Sequence, residues 1–116
     1  MRMIDLVQTN PLPGREDEFN EWYSGRHLHD ILAVPGIITA QRYRVTSDRR
    51  LDGSGYSGMP QPFQYLALYE VEGSPSDILR GIEERRAAGL IPWSPALDPV
   101  FSAYFYEPIG EKLVKG

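Results

Sequence analysis

Apolar residues first cluster from Met3 to Thr9, and the run stops at Asn10-Pro11-Leu12-Pro13-Gly14. A short apolar run closed by Pro and Gly predicts a strand followed by a turn. From Arg15 the period changes. Glu16, Asp17 and Glu18 fall in a first helical turn, where acids complement the helix dipole, and Phe19, Trp22, Tyr23 and Arg26 recur at helical spacing. The apolar set then moves to Leu28, Ile31 and Leu32. No straight helix carries both sets on one side, so the spacing predicts a kink or tighter turn near Leu28 to Asp30. Pro35-Gly36 ends the element.

Ile37 to Val45 returns to strand period, with Ile38, Ala40, Arg42 and Arg44 on one face and Ile37, Thr39, Gln41, Tyr43 and Val45 on the other. Ser47 to Pro62, with Gly53, Gly55, Gly58, Pro60 and Pro62, is too long for a tight hairpin and reads as a mobile loop or lid. Phe63 to Val71 is a third strand. Ser74-Pro75 opens a second helix, with Ser as cap and Pro in the first helical position. Ile78, Leu79 and Ile82 form its apolar stripe, and Gly89 stops it. Leu90 to Pro99 is irregular around Trp93, and Val100 to Tyr106 is the last strand.

This order is the split β-α-β pattern. It predicts an α+β fold, a ferredoxin-like β-α-β-β-α-β unit with a four-stranded antiparallel sheet, over residues 1–116 as one domain. Two helices cover only one face of such a sheet. The third strand nevertheless sets Tyr65, Ala67, Tyr69 and Val71 against Leu66 and Leu68, and the fourth sets Phe101, Ala103 and Phe105 against Val100, Tyr104 and Tyr106. An apolar second face needs a cover, and a second copy related by a two-fold axis is the simplest, so a homodimer is expected.

Composition narrows the function classes. Hydrophobic residues make up 41% and charged residues 24%, a globular mix. The net charge is −4, and the Lys and Arg residues form no stripe interleaved with aromatics, so nucleic acid is not an expected partner. No apolar run approaches membrane-spanning length, and Met1 to Asp5 has no signal-peptide character. There is no cysteine, which removes disulfides and thiol chemistry and fits a cytoplasmic protein.

Phe19-Asn20-Glu21-Trp22-Tyr23, His27-Leu28, Pro35-Gly36-Ile37, Ala40-Gln41-Arg42-Tyr43 and Tyr65 to Val71 occur in an order and spacing that resemble the dimeric α+β barrel superfamily, in particular its EthD-like members. The resemblance covers most of the chain. It implies a dimeric α+β barrel and a small cofactor-independent enzyme. Such an enzyme would act on an apolar aromatic or polyketide-like carbonyl compound by cyclisation, dehydration, isomerisation or oxygenation. The alternative is a non-catalytic small-molecule-binding or stress-type dimer. Members of the group often carry a His followed two residues later by Pro; here the second position is His29.

His27 and His29 are the two histidines of the chain. Histidine titrates near neutral pH and is the natural proton carrier. His27 occupies the position that recurs in the group, and Tyr23 lies one turn before it. His27 as proton carrier with Tyr23 orienting it stands beside the plainer alternative of a packing residue at the kink. His29 points elsewhere on the wheel. Spacing of i, i+2 splays the pair, and no third ligand accompanies them, so no metal site is expected. Asp30 and Asp5 carry no feature that singles them out as ligands. A haem site has no positive support, and no cofactor is expected. Mid-strand Arg42 needs an anionic partner, either a substrate carboxylate or enolate or a structural carboxylate at Glu18, Glu21 or Asp30. Trp22, Tyr65, Tyr69, Trp93 and Tyr104 offer flat surface with polar tips for an apolar or aromatic ligand, Trp22, Tyr65 and Trp93 foremost. No phosphate-binding glycine loop and no nucleophile elbow occur.

Overall fold

In the structure, a computed structural model that describes residues 2–46 and 60–116, strand β1 (Arg2–Thr9) lies in the middle of a sheet. Its alternation sorts the side chains. Met3, Asp5 and Thr9 are buried on one face, whereas Ile4, Leu6 and Gln8 on the other remain partly open. The sheet is completed by β2 (Ile37–Arg44), β3 (Tyr65–Glu72) and β4 (Ser102–Tyr106) in the order β2-β3-β1-β4, with every pair antiparallel. This is the ferredoxin-like α+β arrangement the sequence predicts.

Helices α1 (Glu16–Trp22), α2 (Leu28–Leu32) and α3 (Pro75–Ala87) supply the layer above. Phe19, Tyr23, Ile31 and Ile78 pack with Met3, Tyr65, Ala67, Tyr69 and Val71 in one buried cluster. Helix α3 has the ends that the sequence predicts. The Ser74 hydroxyl accepts from the Asp77 N–H, and Pro75 takes the first turn. At the far end Leu90 N–H donates to the Arg85 carbonyl and Gly89 N–H to the Arg86 carbonyl, with Gly89 at φ 77°, the Schellman closure.

Two expectations are corrected. The helical irregularity lies one turn earlier than predicted, and it widens the helix instead of tightening it. Tyr23–His27 forms a π-helical segment, and Leu28 N–H reaches back five residues to the Tyr23 carbonyl. The faces of β2 also differ at its start. Ile37 pairs with Val71 but Thr39 pairs with Glu70, so one extra residue bulges at Ile38 and returns Ile37 to the helix-covered face beside Ala40 and Arg42. The expected Ser47–Pro62 loop falls largely on residues 47–59, outside the described residues. No helix among the described residues is long and apolar enough to cross a membrane.

Gly36 joins the helical layer to β2 at φ 95°, and its carbonyl accepts from Glu72 N–H. A Cβ there would strike Ile78 Cδ1 and lie 2.7 Å from the Glu72 carbonyl oxygen. Strained φ and overpacking each cost about 1–3 kcal/mol. Gly36→Ala should therefore lower unfolding stability by about 2–4 kcal/mol in urea denaturation, whereas Gly73→Ala, with nothing near its Cβ, should cost less.

Candidate functional site

The π-helical turn is the origin of the site. On an α-helix, residues five apart diverge by about 140°. Here the wider winding stacks Trp22 on His27, five residues on, with ring centroids 4.5 Å apart and planes at 24°. Tyr23 meets the same imidazole edge-on at 4.9 Å. Trp22 Nε1 donates to the Pro92 carbonyl at 3.2 Å, tying the helix to the irregular segment at 90–99. That segment is anchored in turn where Leu12 N–H donates to Ala96 O and Asp98 N–H to Asn10 O. It carries buried Ile91 and half-open Trp93 across to the same place, with Trp93 5.7 Å from His27.

Between this aromatic group and the β1–β4 side of the sheet lies a cavity of about 160 Å³. Its floor is Asp5 and Val7 of β1, Tyr69 of β3, and Ala103 and Phe105 of β4; Tyr23, His27 and Ile31 form the roof. Leu79, Ile82 and Arg86 of α3 close a side, with Trp93 and Phe101 opposite. The lining is overwhelmingly apolar. Arg86 is engaged with Glu83 at 2.6 Å.

Four polar groups break that surface. His27 is 7% exposed, and its Nδ1 is buried with no hydrogen-bond partner among the described residues. Burial pulls its pKa down to about 4; Asp30 pulls the other way, and Arg42 adds to the drop. The imidazole is thus neutral at pH 7. Asp5 is also 7% exposed, with no hydrogen bond or ion pair among the described residues. Burial pushes its carboxyl up to about 6. Tyr23 is 2% exposed and pushed up to about 12 by burial, while the hydroxyl of Tyr69 is shifted upward by the same cause. Tyr69 Oη lies buried without a partner of hydrogen-bonding geometry. Asp5 sits directly between Tyr69 and Phe105 across the sheet.

Of the residues singled out in the sequence, His27, Tyr23, Tyr69 and Trp93 line the cavity. Trp22 stands behind His27 and supports it. Arg42 and Tyr65 are elsewhere. The Arg42 guanidinium lies 4.5 Å over the Tyr23 ring, with Tyr65 at 5.2 Å and Phe19 at 5.3 Å, and donates to Ser24 Oγ and Asn20 Oδ1. Its partners are π faces and neutral oxygens, not the carboxylates considered from the sequence. The Tyr65 hydroxyl donates to Glu16 at 2.5 Å and accepts from Asn20. Asp5, set aside in the sequence as a metal ligand, is the polar residue whose place in the cavity sequence reasoning missed. Its signal was a charge in the Met3-Asp5-Val7-Thr9 register of a strand otherwise apolar on that face. Among the described residues, no group of three or more His, Asp or Glu could hold a metal ion.

No protein-family model and no curated protein matches the sequence. Solved structures do match its shape. An EthD family protein from Bacillus halodurans shares 16% identity at a TM-score of 0.60, over 92% of this chain and 99% of that one. An EthD-like protein from Ralstonia eutropha shares 16% identity at 0.62, over 95% of each chain. The haem-degrader MhuD from Mycobacterium tuberculosis, solved with two haems in its active site, shares 12% identity at 0.64, over 95% and 98%. The chain has the fold of the dimeric α+β barrel superfamily, to which EthD-family proteins belong.

The buried carboxyl has a measurable cost. Its folded pKa of about 6 exceeds the ordinary 3.8, so the unfolded chain ionises first. Stability is therefore lost as pH rises from 3.8 through 6 and stays lost above. The shift corresponds to roughly 2 kcal/mol once water access through the open cavity is discounted. Asp5→Asn should raise the melting temperature at pH 8 by about 5–10 °C, and the gain should vanish near pH 4, as read by calorimetry.

Proposed function

We propose that the protein is a small enzyme acting on an apolar, flat carbonyl compound by acid–base chemistry, without a resident cofactor, with His27 and Tyr23 at the reacting oxygen. The observation that carries this reading is a neutral imidazole, with no side-chain hydrogen bond among the described residues, on the wall of a largely apolar cavity. Buried polar groups are normally paired, and an unpaired side chain in a cavity wall is the place where a ligand atom completes the set. In this reading His27 exchanges a proton or hydrogen bond with the substrate oxygen. Tyr23, fixed from behind by Arg42, orients it. Trp93 stacks on the ring system and sets the mouth. Arg42 and Tyr65 then act on the substrate only through the side chains they hold.

Size supports a small ligand. An apolar cavity of about 150 Å³ takes one benzene ring, so a cavity of about 160 Å³, open past Trp93, suits one or two fused rings. The haem that occupies MhuD is a much larger ligand. The sheet face away from the helices carries Leu6, Leu66 and Leu68 partly open, with Tyr43, Tyr104 and Tyr106 exposed. That face supports a homodimer joined sheet to sheet. The absence of cysteine fits a reducing, cytoplasmic setting.

Three measurements test these proposals. Titration with 1-tetralone, an aromatic ketone of two fused rings, should quench the emission of Trp22 and Trp93, and Trp93→Ala should weaken binding about tenfold. Unchanged emission at millimolar ketone would exclude the pocket as a carbonyl site. On a turned-over ketone, His27→Ala should cut kcat by about 10²–10⁴ and Tyr23→Phe by less, with His29→Ala near wild type. Ketone binding with no turnover that depends on His27 would leave a binding protein. Separately, light scattering at micromolar concentration should give the dimer mass, from an interface above about 1,000 Å² in total. A stable monomer would sink the sheet-to-sheet pairing.

A further inference from the structure

The carboxylate in the cavity floor is unaccounted for by His27 and Tyr23. An aspartate only 7% exposed, with no hydrogen bond or ion pair among the described residues, is costly to keep. An apolar residue in the same register would pack as Val7 and Met3 do. Arg42 makes no ion pair with Asp5: its guanidinium is held over the Tyr23 ring and bonded to Ser24 and Asn20. Arg86 is held by Glu83 at the cavity's side.

We propose that Asp5 is a catalytic residue of this site, the carboxylate that takes a proton from a neutral, planar, enolisable carbonyl compound lying between it and His27. The inference rests on the carbonyl-pocket reading above and names its substrate class. The cavity places Asp5 in the floor and His27 in the roof, so a flat ligand between Phe105 and Trp93 meets one group on each side. In the step, the Asp5 oxygen forms a bond to a proton on the carbon next to the carbonyl. The C–H electron pair becomes the enolate double bond, and the carbonyl π pair moves onto oxygen. The N–H of neutral His27 and the Tyr23 hydroxyl hydrogen-bond that oxygen. Protonated Asp5 then returns the proton to another carbon of the conjugated system. Nothing is oxidised or reduced, and no co-reactant is consumed. Two titratable groups pushed in opposite directions by one apolar cavity suit these two roles.

The same charge selects against anions. Asp5 is faced by Tyr69 from β3 and Phe105 from β4, by Tyr23 and His27 from the π-helical turn, and by Arg86 from the side of α3. None of these presents a free cation to a ligand carboxylate. A neutral hydroxyl donor is welcome there, whereas a carboxylate meets like charge in an apolar box.

The hydroxyarene 2-naphthol, a stable mimic of the enol, and its carboxylate counterpart 2-naphthoate separate the possibilities. At pH 7.5 wild type should prefer 2-naphthol by about 10–100-fold, the range of a charge-assisted hydrogen bond. Asp5→Asn should collapse the preference to within a few-fold, and Asp98→Asn should leave it intact. A carbon-13 titration of the Asp5 carboxyl in the wild-type protein needs no variant. Saturating 2-naphthol binds the ionised form, so it should lower the midpoint by about one to two units. Equal preference in wild type and Asp5→Asn, or a midpoint that 2-naphthol does not move, would overturn the assignment while leaving the pocket reading in place. Failure of both naphthyl compounds to bind, together with unquenched emission in 1-tetralone, would overturn both.

Discussion

Everything in the site is referred to the π-helical turn at Tyr23–His27. One extra residue in the winding brings Trp22 and Tyr23 onto a single imidazole, which α-helical geometry would have let only Tyr23 reach. The turn leaves its wider backbone ring satisfied through the Leu28 N–H to Tyr23 carbonyl bond. It is held in place from outside itself. Arg42 presses on Tyr23 from β2, and the Pro92 carbonyl takes the Trp22 indole N–H from the other side. Removing either support would let the helix regain ordinary winding, and His27 would rotate away from the cavity.

The apolar cavity treats its two ionisable groups oppositely. Burial holds the imidazole neutral down to about pH 4 and holds the carboxyl protonated up to about pH 6. For His27 the folded pKa lies below the ordinary 6.5, so folding stability is lost as pH falls from 6.5 through 4. For Asp5 it is lost as pH rises through nearly the same window. The two dependences oppose each other, so the overall stability profile between pH 4 and 6.5 is flatter than either group alone would make it. Of these two groups neither is charged between about pH 4 and 6; Asp5 ionises above that window and His27 is protonated below it.

The order of elements was legible because strand and helix periods differ and the punctuation was unambiguous. Ser74-Pro75 and Gly89 did in the structure what their chemistry predicts. The π-helical turn was legible only as a discontinuity. A shift of the apolar face from Phe19 and Tyr23 to Leu28 and Ile31 follows equally from tightening or widening, and spacing does not distinguish them. Asp5 was weighed only as a metal ligand and set aside, because both faces of β1 are largely apolar. Ile4 and Leu6 look at least as core-like as Met3 and Val7, so nothing in the strand itself says which face the helices cover. With Arg42 the need for a partner was legible, but not that three aromatic rings would meet it, since those rings come from α1, the π-helical turn and β3.

The segment at 90–99 has a consequence of a different kind. Its three prolines leave few conformations open to it, and it is pinned at one end to Arg85 and at the other to residues 10–12, so the rim of the cavity is stiff although it contains no helix or strand. The proton-handling groups, by contrast, stand on β1 and the π-helical turn. Aperture and reactive groups are thus encoded in separate stretches of chain, joined where Trp22 bonds Pro92 and Trp93 meets His27. A change at Ile91 or Trp93 would reshape the mouth through side chains on that segment, while His27 keeps its backbone on the π-helical turn.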